Sequence, residues 1–148
     1  MRSEFDSRQV HNLKNEKILI VKALVINKDK LLLLKKVEGV VGDHSGKWEA
    51  PGGKIELDEN PDREILREVF EETGHKGKII RKLSSWTWEL EDIGGEADVY
   101  LVEIDSQKVK LSNEHSEFIW INPEDMEKME NLIFKNKFIE YLREANLI

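Results

Sequence analysis

GGKIELDENPDREILREVFEETG, residues 52–74, is the stretch on which the reading of the chain turns. Its first half is a glycine pair and an acidic, turn-forming run. Its second half carries a helix pattern. Asn60 before Pro61 marks a helix start, because asparagine caps free N–H groups and proline at the first helical position gives up a donor that had no partner. Gly74 marks the stop. Advancing about 100° per residue puts Ile65, Leu66, Val69 and Phe70 in one arc, the expected buried face. Glu64, Glu68, Glu71 and Glu72 fall on the opposite arc. Like charges one turn apart repel by roughly 0.2–0.5 kcal/mol per pair, and Glu71 and Glu72 also stand at the unfavourable end of the helix dipole.

Two readings account for that charge. One is a solvated acidic face, partly relieved by Arg63 and by Arg67, which faces Glu64 and Glu71. The other is a cation site. A hard divalent ion takes oxygen ligands in a near-octahedral shell, and carboxylates one turn apart converge on such a point. The glycines before the helix would let a backbone carbonyl approach the same ion.

Working outward, the chain of 148 residues suits one compact domain. Residues 1–16 are polar and aperiodic, an expected arm ahead of a single domain over 17–148. No apolar run is long enough for a membrane span, and the opening residues carry no signal-peptide core. A cytoplasmic setting is expected. The absence of cysteine excludes disulfides, thiolate metal sites and cysteine nucleophiles. The net charge of −7 argues against a long nucleic-acid partner but not against a small anion, because a bound metal reverses the local field.

Residues 17–37 read as a hairpin turning at Asn27-Lys28-Asp29-Lys30. Residues 37–46 read as a glycine-rich loop, 48–50 as a short strand, and Pro51-Gly52-Gly53 as a turn. Strands are expected over 76–90, 97–104 and 117–121, with a turn at 91–96. Asn122-Pro123 repeats the helix-start signal, and a last amphipathic helix is expected over roughly 132–145, with Asn131 as its cap.

The 52–74 stretch resembles the signature of the Nudix (MutT-like) hydrolases. That signature is Gly, five residues, Glu, seven residues, Arg-Glu, an aliphatic, any residue, Glu-Glu, any residue, Gly, an aliphatic. Gly53, Glu59, Arg67, Glu68, Val69, Glu71, Glu72 and Gly74 all stand at the required spacing. His75 departs from the final aliphatic position. The resemblance implies an α/β (α+β) fold, an α/β/α sandwich around a mixed β-sheet. It implies hydrolysis of a pyrophosphate bond in a nucleoside diphosphate derivative, with Mg²⁺ or Mn²⁺. Glu68, Glu71 and Glu72 are then the metal carboxylates, joined by the Gly52 carbonyl. Glu59 and Arg67 are their support, as an ion pair, and Glu68 is an alternative general base. A distal glutamate is expected at Glu114, with Glu117 and Glu96 as fallbacks.

For the substrate, Gly53 lies beside the metal site. Trp86 and Trp88 share one strand face and are candidates to stack a nucleobase. Asn131 is a candidate to read a base edge, and His44 and His115, read as loop residues, to touch phosphate. Each also has a plain structural reading in packing, capping or solvation. The expected substrate is a nucleoside triphosphate, ordinary or modified, cleaved to monophosphate and pyrophosphate. ADP-ribose, nucleotide sugars and dinucleotides are the alternatives, and a non-catalytic nucleotide-binding module is the rival outside the enzymes. The protein is expected to act as a monomer or homodimer.

Overall fold

The computed structural model describes residues 16–39, 45–90 and 93–148. Residues 1–15 of the arm expected over 1–16, and residues 40–44 of the 37–46 loop with His44 among them, therefore lie outside the described residues, while Glu16 already belongs to the first strand. Eight strands form one mixed sheet: β1 (Glu16–Asn27), β2 (Lys30–Lys36), β3 (Trp48–Glu49), β4 (Gly52–Ile55), β5 (Lys78–Lys82), β6 (Trp86–Leu90), β7 (Ile93–Glu103) and β8 (His115–Ile121). Among the described residues there are also two α-helices, α1 (Pro61–Thr73) and α2 (Lys135–Glu144), and a 3₁₀ helix at Pro123–Lys128.

β1 is the spine. It runs parallel to β7 from Glu16–Ile93 to Ile26–Glu103. On its other side it pairs antiparallel first with β4 and then with β2. Between those two partners the Ala23 N–H donates to the Pro51 carbonyl at 2.9 Å, so the sheet forks there. Side chains alternate across a strand, and both faces of this sheet are buried. Val21, Ala23 and Val25 of β1 pack with Leu32 and Leu34 of β2, Tyr100 and Val102 of β7, and Ile65 and Val69 of α1. Leu24, Leu31, Leu33, Val99 and Leu101 pack the opposite face with Phe138, Ile139 and Leu142 of α2. A helix on each face gives the expected α/β/α sandwich.

The start and stop of α1 are where the sequence puts them. The Asn60 side chain accepts from the Asp62 and Arg63 N–H groups, and Gly74 is left-handed, its N–H donating to Phe70. The buried arc is different. Phe70 is 52% exposed, while Glu64 and Glu72 are buried. The helix can turn those acids inward because each has a partner, Arg67 for Glu64 and the Gly52 N–H for Glu72.

Other boundaries also move. The turn expected at 51–53 is a bend at Pro51 only, because Gly52 and Gly53 pair with Lys22 and Val21 as the start of β4. The 76–90 segment is two strands, and β7 begins at Ile93, within the span expected as a turn at 91–96, of which residues 91 and 92 lie outside the described residues. The strand expected from 117 begins at His115, which is therefore not a loop residue. After Asn122 the chain makes a 3₁₀ helix with no side-chain cap; the Asn122 Oδ1 accepts from Lys30 instead. The last helix starts at Lys135, so Asn131 does not cap it. Residues 131–133 are drawn alongside β3 instead: Trp48 N–H donates to Asn131, and Ile133 N–H to Trp48.

Candidate active site

The fork in the sheet places Gly52 against α1. Gly52 has φ +147, and a Cβ there would stand 2.0 Å from the Val21 carbonyl oxygen, so only glycine fits. Its N–H donates to Glu72 Oε1 at 3.1 Å. Gly53 lies against the next acid: a Cβ there would meet the Glu68 carboxylate at 3.0 Å. The two glycines thus form a cradle that brings β4 backbone against Glu68 and Glu72.

Arg67 organises the same helix from outside. Its guanidinium donates to Glu64 at 2.6 Å, Glu68 at 3.0 Å and Glu71 at 2.7 Å. These bonds, Glu64 first, hold it further into its charged form. The ion pair expected between Arg67 and Glu59 does not form. Glu59 instead accepts from the Glu56 N–H at 2.7 Å, closing the turn before the helix.

A cavity of about 500 Å³ opens in front of the cradle. Gly52, Gly53, Glu68 and Glu114 line it, with Lys22, Lys36, Lys54, Glu49, Ile20, Trp88 and Phe134. Carboxylate oxygens of Glu72 and Glu114 and a ring nitrogen of His115 lie within 4.8 Å of one another. Of the three distal candidates, Glu114 is the one in the cavity. Glu117 pairs with Lys35 and Glu96 with Lys17. Glu71 is half-exposed and turned to Arg67.

The aromatic candidates divide. Trp88 lines the cavity, and Trp86 packs 5.5 Å from it and edge-on to Phe134 at 4.7 Å. Asn131 lines a neighbouring cavity of about 570 Å³ with Lys47 and Lys135, and Phe134 borders both. Phe134 holds a left-handed backbone at φ +58, uncommon for a bulky residue.

The electrostatics set Glu72 apart. Burial pushes its carboxyl up to about 9; Lys22 opposes the rise, Glu68 adds to it through a hydrogen bond and its charge, and the Gly52 N–H opposes it. Without a cation this acid holds a proton at neutral pH, and a cation would displace it. The donor set of clustered carboxylates fits a divalent ion.

Sequence reading missed a buried network behind the cavity. Lys22 Nζ donates to the Ala50 carbonyl at 3.0 Å and to Glu49 at 3.3 Å, and His115 Nε2 meets the other Glu49 oxygen at 2.7 Å. Burial raises Glu49, but the His115 bond and the Lys22 charge overcome it and hold its carboxyl at about 2. The one signal was Lys22 interrupting an apolar strand. The partners Glu49 and His115 lie far along the chain.

A NUDIX domain model matches residues 17–142. A MutT protein from Methanosarcina mazei Go1 is 34% identical in sequence, with 90% of this chain and 98% of that one covered and a TM-score of 0.76. The ORF135 protein of E. coli is 24% identical, covering 88% and 93%, with a TM-score of 0.69. A relative named nucleoside triphosphatase NudI, from Escherichia coli O139:H28, is 26% identical over 115 residues, 69% of this chain and 80% of its own.

Proposed function

The chain belongs to the Nudix family and is a pyrophosphohydrolase; on that premise we propose that it cleaves a nucleoside triphosphate, ordinary or modified, to the monophosphate and pyrophosphate with the help of Mg²⁺ or Mn²⁺. The observation that carries this reading is the shared cavity in which Glu68 and Glu114 face three lysines and an aromatic wall. Relatives named as nucleoside triphosphatases support the choice of substrate class.

Glu68, Glu72 and Glu114 would hold the cation, with the Gly52 carbonyl beside them. Glu71 would join by exchanging its Arg67 contact for the ion. A bound divalent cation supplies charge neutralisation on the phosphates and acidifies a coordinated water. The chain's own residues do the rest. Lys22, Lys36 and Lys54 offset the charge of the triphosphate. Arg67 keeps Glu64, Glu68 and Glu71 from splaying apart, and Glu59 closes the turn that leads into them. A carboxylate, Glu68 or a neighbour, takes the proton as water adds to phosphorus and pyrophosphate leaves. Trp88, backed by Trp86, offers a face for the base, and Asn131 offers polar groups in the adjoining cavity.

The test is a hydrolysis panel in ¹⁸O water with Mg²⁺, covering ordinary and oxidised dNTPs, ADP-ribose, nucleotide sugars and dinucleotides, with product masses read. Label in the monophosphate or in pyrophosphate identifies the attacked phosphorus. Preferred turnover of ADP-ribose would move the substrate assignment. Full activity after exhaustive chelation would overturn the metal-dependent reading.

A further inference from the structure

We propose that His115 is a nitrogen ligand to a divalent cation shared with Glu72 and Glu114, giving this chain a mixed nitrogen–oxygen metal position that favours Mn²⁺ or Co²⁺ over Mg²⁺. The inference deepens the metal-dependent reading above and rests on it for the two glutamates.

The His115 side chain has no solvent exposure. Its Nε2 is 2.7 Å from Glu49 Oε2. A carboxylate is an acceptor, so Nε2 carries the proton and donates. That leaves Nδ1 as the ring nitrogen not committed to Glu49. Nδ1 is buried and has no hydrogen-bond partner. Such an orphan is uncommon in folded proteins. The ring is not adrift, because Glu49 is itself anchored by Lys22 at 3.3 Å, and Lys22 by the Ala50 carbonyl. A ring nitrogen sits within 4.8 Å of the Glu72 and Glu114 oxygens.

This combination is the one by which proteins prepare a metal-binding imidazole. One ring N–H is given to a carboxylate, which fixes tautomer and orientation, and the other nitrogen is left free for the ion. Glutamates alone suit Mg²⁺, which prefers oxygen and holds its water tightly. An imidazole in the set shifts preference along the first-row series toward Mn²⁺, Co²⁺ and Zn²⁺. The network thus fixes the ring through Nε2 and leaves Nδ1 without a hydrogen bond, on a side chain with a ring nitrogen within 4.8 Å of both glutamates.

Pulsed EPR on the Mn²⁺-loaded protein tests this directly, because a coordinated nitrogen modulates the manganese echo. The expected result is a ¹⁴N modulation that converts to the ¹⁵N pattern when histidine is ¹⁵N-labelled. It should persist when His11, His44 and His75 are replaced by Gln, and vanish in His115→Gln. In the same samples, His115→Gln should weaken Mn²⁺ binding about 10- to 100-fold and Mg²⁺ binding much less. The labelled chain keeping only His115 decides the matter even where His115→Gln folds poorly. Bound Mn²⁺ with no nitrogen modulation would overturn the proposal and leave the metal-dependent hydrolase intact. Failure of the unmodified chain to bind Mn²⁺ would overturn both.

Discussion

Replacing Glu72 by Gln should change how the metal-free protein responds to pH, and by an amount the structure sets. Glu72 is buried, and its carboxyl is raised from 4.5 to about 9. The folded state therefore binds this proton more tightly than the unfolded chain does. Stability from the group is fully present below about pH 4.5 and is lost as pH rises toward 9. Inside that window the loss is about 1.4 kcal/mol per pH unit. Between pH 6 and pH 8 the parent should lose about 2–3 kcal/mol through this residue. Glutamine has nearly the same shape, is neutral at both pH values, and keeps an oxygen for the Gly52 N–H, 3.1 Å away in the parent. The variant should thus match the parent near pH 4.5 and below, and its advantage should grow by about 2–3 kcal/mol between pH 6 and pH 8. Urea unfolding in EDTA at the two pH values measures this, and other titrating groups cancel in the difference. Adding Mn²⁺ at pH 7 should release about one proton per ion from the parent and fewer from the variant. A variant-minus-parent difference that is the same at pH 6 and pH 8 would refute the buried, protonated Glu72.

Glu114→Gln should lower kcat at least tenfold, about 1.4 kcal/mol in barrier height, while Glu117→Gln, whose parent side chain is tied to Lys35 outside the cavity, should leave it within twofold; steady-state kinetics with the reverse order would move the distal role. Gly52→Ala should cost about 3 kcal/mol or more, since the added methyl would sit 2.0 Å from a backbone oxygen at positive φ; a loss under about 1 kcal/mol in denaturant melts would show that the cradle yields.

The parts legible in the sequence are those whose signals are local. Asn60, Pro61 and Gly74 mark the two ends of α1 within one short run of chain, and the structure keeps all three roles. The hairpin of β1 and β2 is equally local, with Lys28 and Asp29 in left-handed conformations at its turn. What could not be read depends on contacts made across the fold. The arc of α1 that turns inward is decided by a backbone N–H on β4 and by Arg67, so apolar periodicity placed Phe70 inside and Glu72 outside. The start of α2 is set by pairing with Trp48, far earlier in the chain, and not by the capping power of Asn131. The Lys22–Glu49–His115 network joins three strands, and each member alone looks like an ordinary charged or polar residue. Glu59 stands at its signature spacing, yet its contact is a turn N–H and not Arg67.

The long parallel pairing of β1 with β7 has a consequence for how the protein is made. Residues 16–26 cannot find their main partner until residues 93–103 have been synthesised, and pairings this distant along the chain close slowly. The strand that brings His115 emerges later still. During translation the helix with its glutamates is therefore complete well before the surface it serves, and it must wait as an acidic segment without its cradle fully locked. A ribosome-bound series of truncated chains should acquire Mn²⁺ affinity only once residue 121 has cleared the exit tunnel. Folding and metal loading would then be one late event, which protects an unfinished chain from capturing ions or nucleotides.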